Sequence, residues 1–298
     1  MKAVGALVLV GAWVGLTTGS GIAEETVATA VYSRVSHGYK REKGKDGRFR
    51  PEYYALANGG LIEGTVRDHT IERVTYPEVA EIAGRFLHQQ GYHYAQSKEQ
   101  ATLLLVLNWG ATRVYDHVNY THAVQQLGQE VSESKQSGMF KPTGENENRP
   151  VDFTLMEMEN RVRDARNRPN AKIIGYLDAI NEADGIQRWA GGGDRYRDLL
   201  ADLEEPRYYI VISAYDFPGL LQTQKKKLLW QTRVSVRSAG NRFDESFVPM
   251  FRSAAKYFGQ DSGKLVRAEE SKGTVEFGDL KFLGEAQQPA KPATATKP

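Results

Sequence analysis

Thr75 to Trp109 reads TYPEVAEIAGRFLHQQGYHYAQSKEQATLLLVLNW and holds the two clearest structural signals of the chain. Thr75 with Glu78 three positions on forms a capping box, in which each residue satisfies a donor that the first helical turn leaves open. Val79, Ile82, Ala83 and Phe86 then recur at i, i+3, i+4 and i+7, one face of an amphipathic helix, and Gly91 stands where such a helix stops. Ala101 to Trp109 is a nearly continuous apolar run, too short to make a convincing helix. Bounded by polar residues, it reads as a strand buried on both faces. A helix packed on a central strand is the expected nucleus of the architecture.

Working outward, Glu52 to Ala57 carries the aromatic pair Tyr53 and Tyr54 and reads as a strand closed by Gly59-Gly60. Tyr208 to Tyr215 is rich in β-branched and aromatic residues. Leu228 to Arg237 alternates: Trp230, Thr232, Val234 and Val236 share one face while Gln231, Arg233, Ser235 and Arg237 share the other, as in a half-buried strand. Between them, Asp216-Phe217-Pro218-Gly219 through Lys225-Lys226-Lys227 suits an exposed hairpin loop. Phe247, Met250, Phe251, Ala254 and Phe258 define a second amphipathic helix that Gly259 ends, and Val275 to Leu283 is the final strand expected. From Tyr120 to Pro206 the pattern is helical instead. The stripes are Val124, Leu127 and Val131; Leu155, Met158 and Val162; Ile173, Leu177 and Ile180 behind Asn170 as a cap; and Leu199, Leu200 and Leu203 behind Asp194. Each is expected to face a core. The expected class is therefore α+β, a mainly antiparallel sheet with two helices packed on one face, interrupted by a mainly helical insertion.

The first residues place Lys2 before an apolar run from Ala3 to Leu16, then a small polar stretch and Gly21-Ile22-Ala23, the order of a cleavable export signal. That run is shorter than the roughly 20 residues a spanning helix needs, so removal after Ala23 is expected rather than retention as an anchor. No cysteine occurs, which excludes disulfides, cysteine nucleophiles, zinc-thiolate sites and the lipid-acceptor thiol of a bacterial lipoprotein. A periplasmic or secreted, unanchored protein follows, with no later apolar run long enough to span a membrane. With 39 basic and 37 acidic residues the formal charge is +2, so no global polyanion binder is implied. Residues 1–23 read as the signal, 24–50 as a flexible basic arm, 51–119 and 207–284 as the two halves of the core, 120–206 as the insertion, and 285–298 as a disordered Pro, Ala and Lys tail. Within the arm, Arg34 to Arg50 holds seven basic and two acidic residues.

Tyr53 to Gly60, Gly91-Tyr92, Leu103 to Trp109, Tyr215-Asp216 and Leu228-Leu229-Trp230 to Val236 follow one another in an order that resembles a bacterial envelope family. It comprises exported proteins and lipoproteins catalogued as domain of unknown function 4136. The resemblance implies the fold and an envelope setting. It carries no reaction, and this chain departs from it in lacking the lipid-acceptor cysteine and in the insertion of residues 120–206.

Three constellations have the residue types of chemistry without the spacing. Asp116, His117 and His122 follow the apolar strand, but the two histidines lie five apart and do not share a helical face. His88 and His93 flank Gly91 and read as the polar end of a helix. Gly191-Gly192-Gly193-Asp194 lacks the strand, lysine and hydroxyl of a phosphate loop. No catalytic, cofactor-binding or metal residue is assigned, and no cofactor is expected. The expected role is a non-catalytic binding or assembly module whose partner is another envelope protein or a cell-wall component, not nucleic acid. A hydrolase of cell-wall or sugar substrates, with two carboxylates across a cleft, is one alternative. A binder of lipid headgroups or acidic polymer through Arg34 to Arg50 is the other.

Overall fold

The computed structural model describes residues 25–36, 38–65, 67–115, 118–136, 154–187 and 193–272. The chain opens with β1 (Thr26–Val35) and β2 (Glu52–Ile62), passes through the single turn α1 (His69–Glu72) to α2 (Tyr76–Gln89), and returns along β3 (Tyr92–Tyr94) and β4 (Leu103–Ala111). Helices α3 (Val118–Gln136), α4 (Thr154–Ile174), α5 (Leu177–Gln187) and α6 (Asp194–Glu204) follow. Strand β5 (Arg207–Asp216), the short α7 (Phe217–Thr223), β6 (Leu228–Arg237), α8 (Phe243–Ala255) and β7 (Val266–Ser271) complete the described chain. None of its helices is long and apolar enough to cross a membrane.

The strands form one sheet in the order β3-β2-β4-β5-β6-β1-β7. β2 runs parallel to β3 and β4, because α2 carries the chain back across the sheet between them, and every other neighbouring pair is antiparallel. The mainly antiparallel α+β class is what the sequence pattern implied.

Thr75 to Trp109 folds as the expected helix and strand, except that the strand is not buried on both faces. The Thr75 N–H donates to the Glu78 carboxylate at 2.6 Å, Val79, Ile82, Ala83 and Leu87 are buried, and the chain turns at Gly91 with φ +79°. The Phe86 and Phe251 rings stack 6.4 Å apart, so α2 and α8 meet on one face of the sheet within a single core. Phe243, Phe247, Met250 and Phe251 of α8 are buried there, each contributing roughly 1.5–3 kcal/mol. In β4, Leu103, Leu105, Leu107 and Trp109 point into this core, while the intervening Leu104, Val106 and Asn108 are half-buried, so one face is sealed rather than both.

Other expectations need correction as well; the loop expected over Asp216 to Lys227, for one, contains the helix α7. Residues 26–35 are not a flexible arm: they form β1, hydrogen-bonded between β6 and β7, with Val27 and Val31 in the core and the Thr29 hydroxyl 2.7 Å from that of Ser253 on α8. The charges from Arg34 onward masked a strand whose Val and Thr residues alternate inward. Asn170 does not cap a helix: it lies inside α4, and its amide donates to the Arg113 carbonyl at 2.6 Å. Val124, Leu155 and Met158, expected to face a core, are exposed, while Leu127 and Val162 of the same stripes are half-buried. The final strand expected over Val275 to Leu283 lies outside the described residues, as do the signal and the tail.

The insertion covers the second face of the sheet. Ala171, Ile174, Tyr176, Ala179, Leu199 and Leu203 pack on Ala30, Tyr209 and Val211 as a separate core. β5 therefore lies under helices on both sides and is buried from Arg207 to Ala214.

Candidate functional site

Beyond β1 the chain doubles back on itself. The Gly44 N–H donates to the Arg48 carbonyl at 2.7 Å, the Arg50 N–H to the Glu42 carbonyl at 2.8 Å, and Lys43 bridges Phe49 antiparallel. This small hairpin presses Arg41 against the start of the sheet. The Arg41 guanidinium carbon lies 4.1 Å from the centre of the buried Tyr92 ring and 4.3 Å from that of Phe49. Two glycines with positive φ permit the approach. A Cβ on Gly259 would stand 2.8 Å from Arg41 Cδ and closer still to the Tyr92 hydroxyl; one on Gly91 would stand 3.4 Å from Arg41 Nη2.

Arg41 is only 4% exposed. Arginine keeps its charge at any ordinary pH, so burial cannot be relieved by losing a proton. The two rings each supply about 0.5–2 kcal/mol of cation–π attraction. Among the described residues its one side-chain hydrogen bond, from Nη2 to the Arg50 carbonyl, is long at 3.5 Å. Nε and Nη1 have no partner among the described residues. Other buried polar atoms share that condition, on Trp109, Tyr209, Trp230 and Ser246, but only those of Arg41 carry formal charge. A buried cationic donor left unpaired is the costliest of these and the one most in need of a partner.

Around it runs a short polar chain. The Tyr39 hydroxyl donates to the Glu52 carboxylate at 2.8 Å and lies 3.5 Å from the Tyr92 hydroxyl. Burial pushes the pKa of both phenols up, so they remain protonated donors. Burial also raises the Glu52 carboxyl, opposed by the Tyr39 hydrogen bond and the Arg41 charge. Outside this group opens a concavity of about 940 Å³ whose lining includes Tyr39, Lys40, Arg41, Lys43, Phe49 and Gln260. The arrangement offers fixed donors and positive charge to an anionic group.

The sequence-derived constellations fare differently. Asp116 and His117 lie outside the described residues, and His122 is exposed on α3. His88 and His93 do come together, ring centres 5.0 Å apart, where α2 ends and β3 begins. Gly191 and Gly192 are not described; Gly193 is the N-cap of α6. No group of three or more His, Asp or Glu placed to hold a metal occurs among the described residues. The Arg41 group escaped sequence reading because Arg41 sits in a run of basic residues with nothing to mark it from Lys40. The only usable signal lay in Gly91 and Gly259, which read as helix stops but also admit a side chain between them. A scan of protein-family models finds no match to the chain, and no curated protein matches it.

Proposed function

We propose that this chain is an exported, non-catalytic binding module of the bacterial cell envelope, akin to the family it resembles, and that it holds another envelope component at the concavity beside Arg41. The observation that carries this reading is a buried guanidinium with two nitrogens, Nε and Nη1, unpartnered among the described residues, at the wall of an open concavity. Support for the location comes from the signal-like order of residues 1–23. The neighbouring Tyr39 and Tyr92 stay protonated, with the one Tyr39 hydroxyl proton given to Glu52, so neither is poised as a base, which suits holding a ligand more than transforming it. A second reading, attachment to an anionic surface, draws on Lys40, Lys43, Lys45 and Arg48, all exposed on the same loop.

The test is retention of separated envelope fractions, lipid, wall fragments and protein, on the immobilised full chain, with chemical analysis of what is eluted. One fraction is expected to be retained unchanged, and retention should fall severalfold in the Lys40→Ser, Lys43→Ser double variant and with added salt. Conversion of the retained material to new products, abolished by a single carboxylate substitution, would overturn the non-catalytic reading. Equal retention by the double variant would remove the site from this loop.

A further inference from the structure

We infer that the Arg41 concavity is a receptor for a phosphate group, carried either by a soluble ester or by a lipid headgroup; this rests on the binding reading above and names its ligand chemistry. Four observations converge on it. First, Arg41 is the charged group that remains short of partners among the described residues, and a guanidinium presents a planar fork of parallel N–H donors that matches the oxygens of phosphate. Second, the carboxylates that line the concavity are already engaged. Glu42 accepts from Arg50 at 2.8 Å, and Asp261 accepts the Gly263 N–H at 2.7 Å.

Third, Lys40 and Lys43 are exposed at the rim and form no ion pair with another described residue. Three cations thus line the space against the single charge of Asp261, which pairs with no cation among the described residues, and the excess of two suits the nearly doubly charged phosphate of a monoester. Fourth, at about 940 Å³ the concavity has room for much more than one phosphate, with Val35 and Phe49 among its walls for the remainder of the ligand. The Nε and Nη1 atoms are themselves buried although Arg41 belongs to the lining of the concavity.

The experiment follows the Arg41 Nε–H resonance of the full chain with 15N-labelled arginine. Arg41→Lys assigns it; should that variant not fold, Phe49→Leu identifies the same signal by removing one of the two rings over it. Inorganic phosphate is titrated at constant ionic strength balanced with chloride. In parallel, co-sedimentation is measured with phosphatidylcholine vesicles with and without phosphatidic acid. A saturable shift of the Arg41 Nε–H with inorganic phosphate, weakened severalfold by Lys40→Ser with Lys43→Ser, supports a soluble phosphate ester. A shift absent with inorganic phosphate but produced by micelle-dispersed phosphatidic acid, together with selective sedimentation on phosphatidic acid vesicles, supports a lipid headgroup. An Nε–H unmoved by either, or moved equally by chloride, overturns the inference. If an envelope fraction is nevertheless retained, only the phosphate chemistry has failed; if retention is lost as well, the binding reading falls with it.

Discussion

Arg207 and Arg41 are buried to nearly the same depth, 3% and 4% exposed, and each lies over a tyrosine ring, yet their surroundings are opposite. Arg207, at the start of β5, donates from Nη1 to Asp202 at 3.1 Å and from Nε to the Ser235 hydroxyl at 3.2 Å. Asp202, on α6, also accepts from Arg267 of β7 at 2.6 Å and from the Tyr176 hydroxyl at 3.0 Å. One carboxylate thereby clamps the insertion to the sheet and to its edge strand. Arg41 has aromatic rings where Arg207 has acceptors. Depth of burial alone does not separate an arginine whose acceptors are in place from one with donors left over.

The sharpest way to break that contrast is Asp202→Ala. It leaves Arg207 buried without its carboxylate and releases Arg267 and Tyr176, so a loss of about 3–5 kcal/mol is expected in the urea unfolding free energy. A loss below about 1 kcal/mol would mean that the clamp is idle and the comparison mistaken.

A smaller effect separates the arginines directly. Arg207→Met keeps the aliphatic stem but leaves Asp202 with Arg267 and Tyr176 only, and should cost about 1.5–3 kcal/mol, the worth of a hydrogen bond to a charged partner. Arg41→Met loses cation–π attraction but also relieves an underpaired buried charge, so its stability should stay within about 1 kcal/mol of the native protein. Equal losses in the two variants would make Arg41 a structural pin like Arg207.

How far this contrast was legible beforehand follows from what periodicity encodes. The capped helix α2, the buried rows of β4 and β6 and the phenylalanines of α8 were readable because burial imposes a repeat of 3.6 or 2 on neighbouring residues. β1 was obscured by the charges that follow it, and β7, VRAEES, shows the alternating charge of an edge strand rather than an apolar face. The outward-facing Val124, Leu155 and Met158 show that a helical stripe does not reveal which surface, if any, receives it. Neither arginine could be picked out, since Asp202 lies five residues before Arg207 and Arg267 sixty after it, while Arg41 meets Tyr92 and Gly259 only once the sheet has closed. Spacing in the chain records local packing; a buried ion and its partners are set by long-range closure.

The smallest expected effect, and the one most specific to the Arg41 side, is the pH dependence carried by Glu52. Burial raises its carboxyl above the ordinary 4.5; the hydrogen bond from Tyr39 and the Arg41 charge pull it down less strongly, and Glu42 adds a little to the rise. The folded protein therefore binds this proton more tightly than the unfolded chain does. Its contribution to stability is fully present below the ordinary value and is lost as pH rises through the raised one. At neutral pH the ionised Glu52 is consequently a cost that Arg41 only partly offsets. Glu52→Gln retains an oxygen to accept from the Tyr39 hydroxyl while removing the charge. In urea unfolding the Gln variant should exceed the native protein in stability at pH 7, with the gap closing as pH falls toward 4.5. If the native protein were instead the more stable at pH 7, Glu52 would be acting toward Arg41 as Asp202 acts toward Arg207. Arg41 would then have the counter-charge that the comparison denies it.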